Sequence, residues 1–558
     1  MAKKENAALA ATSKPGFDQI ARKNHNTASS QTAATRTKRA SSEPAKSQPD
    51  GRDGKSTAKA LLDLAHKNCA FFHDERDDGY AVINHNGSSR ILKLRGRDFR
   101  RWLAGIYYTT TKHPANNEAI LTALSVLEAK ATFDCRQNEL SNRFAMRDGT
   151  IYMDMADPKW RAVKITAKGW KIIDPPPVLF RRYSHQKALP DPIRGGKLSD
   201  IHQHLAVKSE DDKLLLEGAL VASAFSNIPR PVITFYGPQG ATKTTSARIL
   251  KSITDPSLTE SVDLGKSPAE LAQILDHHSV PCFDNLTSIP SWAADMLCRA
   301  VTGGAFSKRE LYSDDSDILR TFKRQIIITG INIPSHAPDL LDRLLLIELE
   351  RVQPHMRMDE TTFWARFDAD RPKLFGALLD AIAGALRHLP DIALDEMPRM
   401  ADFARVACAY AEYAGIGTKK MLDTIMRHTS RQTQEVLDAD PVASAVREFV
   451  RKRGTWTGTM SDLLKLLNES APTPRPDGWP RHANYLSRQL NVLEATLNDA
   501  GISIRRRKDG DRLLTLESTA YSSSVSSANP GHHADLDDTD DEDDKNGPLS
   551  GGLVEVEV

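Results

Sequence analysis

The sequence predicts an α/β nucleotide-binding core with an α+β module before it and a winged helix after it, between two unfolded tails. Three observations carry this. A short apolar strand runs straight into a glycine-containing loop with Lys-Thr and a helix behind it. Further apolar runs alternate with helical patterns, as a sheet of buried parallel strands requires. The charge is unevenly spread along the chain. The net charge is only +2. Met1 to Lys55 nevertheless holds 11 Lys/Arg against 5 Asp/Glu, Thr519 to Val558 holds 1 Lys against 10 Asp/Glu, and +5 is left for the residues between.

A chain of 558 residues has room for about three to four domains. The head, rich in Ala, Ser, Thr and Lys, has almost no large apolar residue before Leu61 and cannot offset the entropy of ordering. The acidic run Asp535–Asp544 is likewise expected to stay unfolded, as a solubilising tail or as a mimic of nucleic-acid charge that competes for a basic surface. Five widely spaced cysteines with no C-x-x-C pair argue against a disulfide scaffold or a zinc finger and for a reducing, cytoplasmic setting. No run approaches 18 apolar residues, so no membrane partner is expected.

These observations set the boundaries. Residues 1–55 are the basic tail and 56–185 an α+β module without a catalytic signature. Residues 186–360 are the core, 361–437 its helical extension, 441–518 a winged helix-turn-helix and 519–558 the acidic tail. Within the module, Tyr80–Ile83, Ser89–Leu94 and Gly149–Asp154 read as strands and Glu118–Lys130 as a helix. Pro175-Pro176-Pro177 marks its end. In the core, Asp212–Phe225 reads as a helix. Val232–Tyr236, Ser279–Phe283, Gln325–Asn332 and Leu344–Ile347 read as buried strands.

The loop Gly237-Pro238-Gln239-Gly240-Ala241-Thr242-Lys243-Thr244 lies between the first of those strands and a helix expected over Thr245–Ile253. Backbone amides at such a helix start surround an anion. Lys243 would reach the β- and γ-phosphates of ATP, and the Thr244 hydroxyl would bind Mg²⁺. Thr242 stands where the loop usually has glycine, so the loop must close with a residue that carries a Cβ. Asp284, ending the next strand, is placed to hold Mg²⁺ through water. Asn285 follows it where a catalytic glutamate is common; an amide orients water but takes no proton. Asn332 is placed to sense the γ-phosphate or to form a turn before Pro334. Arg343 would serve as an arginine finger toward a neighbouring subunit or as half of an Asp342–Arg343 pair.

After the core, Val442–Arg451 and Met460–Leu467 read as amphipathic helices, and a third helix begins at Pro480 with proline in its first turn. On it Leu486, Leu490 and Leu493 face inward while Arg481, Asn484 and Arg488 share another face. Gly501–Leu516 reads as a hairpin around Asp509-Gly510. The third helix would enter a major groove, and Arg505, Arg506, Arg507 and Lys508 on the wing would contact phosphates. The wing could equally dock on another protein.

The loop, Phe283-Asp284-Asn285, Thr302-Gly303-Gly304 with Ser307-Lys308-Arg309, Thr329-Gly330-Ile331-Asn332 and Asp342-Arg343 occur in that order. This set resembles the ATPase core of AAA+/superfamily 3 helicases of the phage and mobile-element primase–helicase kind. The resemblance covers about Pro190 to Leu516. It implies ATP hydrolysis with Mg²⁺ in a DNA-associated, helicase-like motor of replication. It also implies a homo-oligomeric ring of hexamer type, with DNA and a primase or other replication proteins as partners. It places a DNA-tracking hairpin at Lys308 and Arg309. The tip Tyr312–Asp317 is acidic here, which leaves phosphate contact to Lys308, Arg309, Lys323 and Arg324, or leaves the chain an ATP-switched DNA-binding regulator or loader that unwinds nothing.

Overall fold

The computed structural model describes residues 51–518 apart from 86, 310–316, 322, 332–336, 477 and 510. The chain divides into two units, Met1–Asp53 and Gly54–Val558, and the architecture below belongs to the second. It is mixed α/β with several separate sheets.

The first module opens on helix Gly51–Asn68, which begins inside the stretch assigned by sequence to the unfolded tail. Leu61 and Ala65 give this helix a buried side, and that supplies the apolar contact that the tail upstream lacks. Behind it lie an antiparallel sheet of Cys69–His73, Gly79–His85 and Ser88–Lys93, two helices (Arg97–Thr111 and Asn117–Phe133), and a four-stranded antiparallel meander from Phe144 to Ile173. The expected strands and helix are all present.

The central sheet is parallel, in the order Cys282–Phe283, Ile327–Thr329, Val232–Tyr236, Leu344–Glu348. Helices cover both faces, so its strands are apolar on both sides: Val232, Ile233, Phe235, Phe283, Ile328 and Leu346 are all at most 1% exposed. Two of the strands are shorter than their apolar runs. The Ser279 and Val280 amides donate to the Asp255 carboxylate rather than to a strand. Gln325 turns its side-chain amide onto the Pro231 carbonyl. Helices Glu360–His388, Ala401–Tyr413 and Thr418–Ala439 then pack over one face, within one cluster that also takes in Ile233, Phe235 and the meander.

The C-terminal module has helices Pro441–Arg453, Met460–Ser470 and Ala483–Asp499 and a three-stranded sheet with Asp511–Ser518 in its centre. Two expectations change. The third helix starts at Ala483, with His482 at its cap, so Pro480 and Arg481 precede it. The hairpin Ile502–Asp509 with Asp511–Ser518 gains a third strand, Thr455–Thr459, whose alternation is too short to stand out in the sequence. Among the described residues no helix is long and apolar enough to cross a membrane.

Candidate functional site

The central strand Val232–Tyr236 ends against Gly237, whose φ is +140°. A Cβ there would stand 2.4 Å from the Leu349 carbonyl oxygen, so the loop leaves the sheet at a point only glycine can occupy. Gly240 also has a positive φ, +80°. The helix begins at Lys243, two residues earlier than expected, and runs to Thr254 with no acidic residue in its first turn. Its leading amides therefore face a region that no carboxylate of that turn occupies, which suits an anion.

Thr242 caps this helix at φ 56°, ψ 28°, in the left-handed region. The sequence reading placed a Cβ at this turn, and the conformation shows its consequence: a β-branched residue is strained there by about 1–2 kcal/mol. Thr242→Gly removes that strain but adds freedom to the unfolded chain. The expected outcome in urea denaturation is therefore a neutral change or a gain of up to about 1 kcal/mol. A loss larger than that would mean that the threonine side chain itself holds the loop.

The Lys243 ammonium donates to the carbonyls of Gly237 and Pro238, each at 2.9 Å. Burial pulls its pKa below the ordinary lysine range, against the opposing pull of Asp284. One residue on, the Thr244 hydroxyl donates to both Asp284 oxygens, at 2.9 and 3.0 Å. Thr329 completes the cluster: its hydroxyl donates to Asp284 Oδ1 and accepts the Asn285 amide at 2.8 Å. Thr329 is 1% exposed. The sequence reading gave it no role. The signal was a hydroxyl closing an otherwise apolar strand. Asn285 is exposed, with φ 56°, and only its backbone is tethered to the cluster, through Thr329.

Two other candidates lie apart. Asn332 falls outside the described residues. The Arg343 guanidinium donates to the Asp339 carbonyl and stands 3.9 Å from the Asp339 carboxylate. The neighbouring Asp342 pairs with Arg399, so Asp342 and Arg343 are not each other's partners. Arg351 was missed by sequence. Its Nε stands 3.7 Å from where a Cβ on Gly240 would be, which puts an exposed guanidinium at the loop's edge.

The basic candidates sort by element. Lys308 and Arg309 lie in strand Ala305–Arg309, opposite Ile318 and Asp317 of the hairpin's return strand; the rest of the acidic tip, 312–316, lies outside the described residues. Lys323 donates to the Asn227 carbonyl at 2.6 Å, and the half-buried Arg324 donates from Nε to the Leu275 carbonyl at 2.6 Å. Both hold the root of the hairpin. In the C-terminal module Leu486, Leu490 and Leu493 are buried as expected, and Asn484 and Arg488 are exposed along helix Ala483–Asp499. Arg481 is exposed just before that helix. Alternation on strand Ile502–Asp509 separates the hairpin's arginines. Arg506 lies on the side of buried Ile504 and pairs with Glu494 of the third helix at 2.5 Å, so it braces the helix against the sheet. Arg505 and Arg507 point out from the other face. Lys508 stands opposite Arg512 in the same hairpin.

Residues 207–426 match the family model of the actinomycete integrative conjugative element replication protein. Residues 442–528 match the model of that replication protein's C-terminal domain. Both stretches are similar to this family of mobile-element replication proteins. Together the matches take in more than half of the chain, with the loop, Asp284, Thr329 and Arg343 in the first and the third helix and hairpin in the second. No curated protein matches the chain in sequence. Among solved structures, the C-terminal region of NrS-1 is similar at 12% identity and a TM-score of 0.37, over 84% of this chain and all of that one. The JCV helicase is similar at 15% identity and a TM-score of 0.24, over 39% of this chain and 64% of that one.

Proposed function

We propose that the chain hydrolyses ATP at the Gly237–Thr245 loop and acts with DNA as a helicase-like motor in replication of a mobile element. The observation that carries this reading is the meeting of Thr244, Asp284 and Thr329 beside a lysine held over a helix start.

The loop amides from Gln239 to Thr245 would cradle the phosphates. Lys243 would exchange its two carbonyl partners for phosphate oxygens, and Arg351 would add a second cation from the side. Mg²⁺ suits the Thr244 hydroxyl and the Asp284 carboxylate, since both are hard oxygen donors that already converge. When bound it supplies charge neutralisation between phosphates. Thr329 would keep the Asp284 carboxylate aimed. Water would attack the γ-phosphorus in line. Asn285 can orient that water but not deprotonate it, so the rate would come from positioning and charge stabilisation. Asn332 and an Arg343 supplied between subunits of a ring would add to that stabilisation.

The C-terminal module would bind duplex DNA as a winged helix. Arg481, Asn484 and Arg488 would meet the groove, and Arg505, Arg507 and Lys508 the backbone, with Arg506 bracing. Lys308 and Arg309 would face DNA from the core.

Equilibrium binding of a fluorescent ATP analogue tests the site. Lys243→Ala is expected to weaken binding at least tenfold, and equal affinities would contradict the proposal. A second reading, an ATP-switched regulator or loader, is favoured by Asn285 and by the hold of Asp339 on Arg343. Strand displacement with ATPase intact would exclude it.

A further inference from the structure

The module that precedes the family matches carries a concentrated charge. Residues 56–185 hold 21 Lys/Arg against 14 Asp/Glu, a net of +7. Of that, +6 falls in Arg90–His113, where seven Lys/Arg stand against Asp98 alone. Most of this stretch is the helix Arg97–Thr111, which buries Phe99, Leu103 and Tyr107 on one side. On a 3.6-residue period Arg97, Arg101 and Tyr108 fall within about 40° on the opposite side, along about 17 Å, and Lys112 caps the helix end in the left-handed conformation.

Asp98 lies off that line. Arg97 is 73% exposed with its nearest carboxylate at 3.9 Å, and among the described residues Arg101 and Lys112 have no ion-pair partner. Tyr108 is 56% exposed, a large aromatic ring left in water among cations. Beside it are Ala104 and Gly105, and a Cβ on Gly105 would meet nothing within 4 Å, so nothing crowds the ring's approach. A solvated helix face usually alternates charge and carries no ring. A row of guanidinium and ammonium groups with one open aromatic and a small-residue floor matches a sugar-phosphate chain whose bases are free to stack.

We propose that this face of helix Arg97–Thr111 is a binding site for single-stranded DNA. Arg97 and Arg101 contact neighbouring phosphates, Tyr108 stacks on a base, and Lys112 meets a phosphate further along the strand. A duplex hides its base faces and would use the cations alone.

The test uses the full chain with Arg505→Ala and Arg507→Ala, to quiet the wing, and a fluorescent oligothymidine of about 20 nucleotides. Tyr108→Ala is expected to weaken binding by about 5- to 100-fold with the salt dependence unchanged. Arg97→Ala with Arg101→Ala is expected to lower the slope of log affinity against log salt by about 1.4. All three side chains are exposed, and unaltered thermal melting confirms that the variants fold. Binding unchanged in both variants overturns the proposal. So does a loss shared equally with duplex DNA and insensitive to Tyr108. The site is independent of the nucleotide loop: loss of ATP binding in Lys243→Ala bears on the loop, and the oligothymidine result bears on this face.

Discussion

Arg143→Leu should lower the unfolding free energy by about 3–5 kcal/mol, the usual consequence of stranding one member of a buried ion pair. Arg143 is fully buried and Asp255 is 1% exposed, with 3.0 Å between Nε and Oδ1. The same guanidinium donates to the carbonyls of Asp154, Lys187 and Pro256. Burial by itself would raise the Asp255 pKa. Arg143, Lys251 and the Val280 amide outweigh it and hold the pKa at about 2. Leucine fills the space but leaves a buried carboxylate facing carbonyls. The consequence reaches the candidate site, because Asp255 also accepts the Ser279 and Val280 amides at the entrance to the strand that ends in Asp284. Chemical denaturation measures the loss. Replacing Asp255 as well, Arg143→Leu with Asp255→Leu, is expected to recover none of it, since the buried Lys251 ammonium, 4.0 Å from that carboxylate, is then left without its partner. A single-variant loss below about 1 kcal/mol would contradict this account of the junction.

Acidification should destabilise the fold between about pH 6.5 and pH 4. Burial lowers the pKa of His428 to about 4 and of His278 to about 3. Both folded values lie below the unfolded one, so the unfolded chain binds the proton first and stability falls with pH across that interval. His428 shows why. Its Nε2 accepts the Leu346 amide of the strand beside Val232–Tyr236, at 2.9 Å, and protonation would turn that acceptor into a donor. The His278 ring lies against that of His185, 4.1 Å between ring centres and tilted by 31°, near the ammonium of Lys251. Each of the two histidines is expected to cost about 2 kcal/mol at pH 5. Asp212 and Glu435, whose pKa values burial raises, work in the opposite direction and blunt the lower end. Denaturation midpoints at pH 7 and pH 5 check the sign, and His428→Gln should flatten the difference. A midpoint that does not move between those values would contradict it.

What could be read in the sequence was what local chemistry encodes. Strand, glycine loop, Lys-Thr and helix are contiguous, and the loop formed as spelled, with Thr242 taking the left-handed turn at the cost its Cβ implied. The leucine face of the third helix followed from a 3.6-residue period. Contacts between distant residues were not legible. Nothing near Thr329 announces that its hydroxyl would meet Asp284, 45 residues away. The Arg143–Asp255 pair spans 112 residues. Arg506 sits in an uninterrupted basic run, and only the strand register shows that it turns inward to Glu494 while Arg505 and Arg507 turn out. The start of the third helix was misplaced because proline fits a first turn, whereas here His482 caps two residues further on.

Steady-state release of phosphate from ATP, with Mg²⁺ and single-stranded DNA, tests the central claim most directly. The wild-type chain is expected to turn over, and Lys243→Ala to lose at least about 100-fold, in line with the removal of a preorganised charge from a transferring phosphoryl group. Equal rates in the two proteins, or no turnover in the wild type, would contradict the assignment of this loop as an ATPase site.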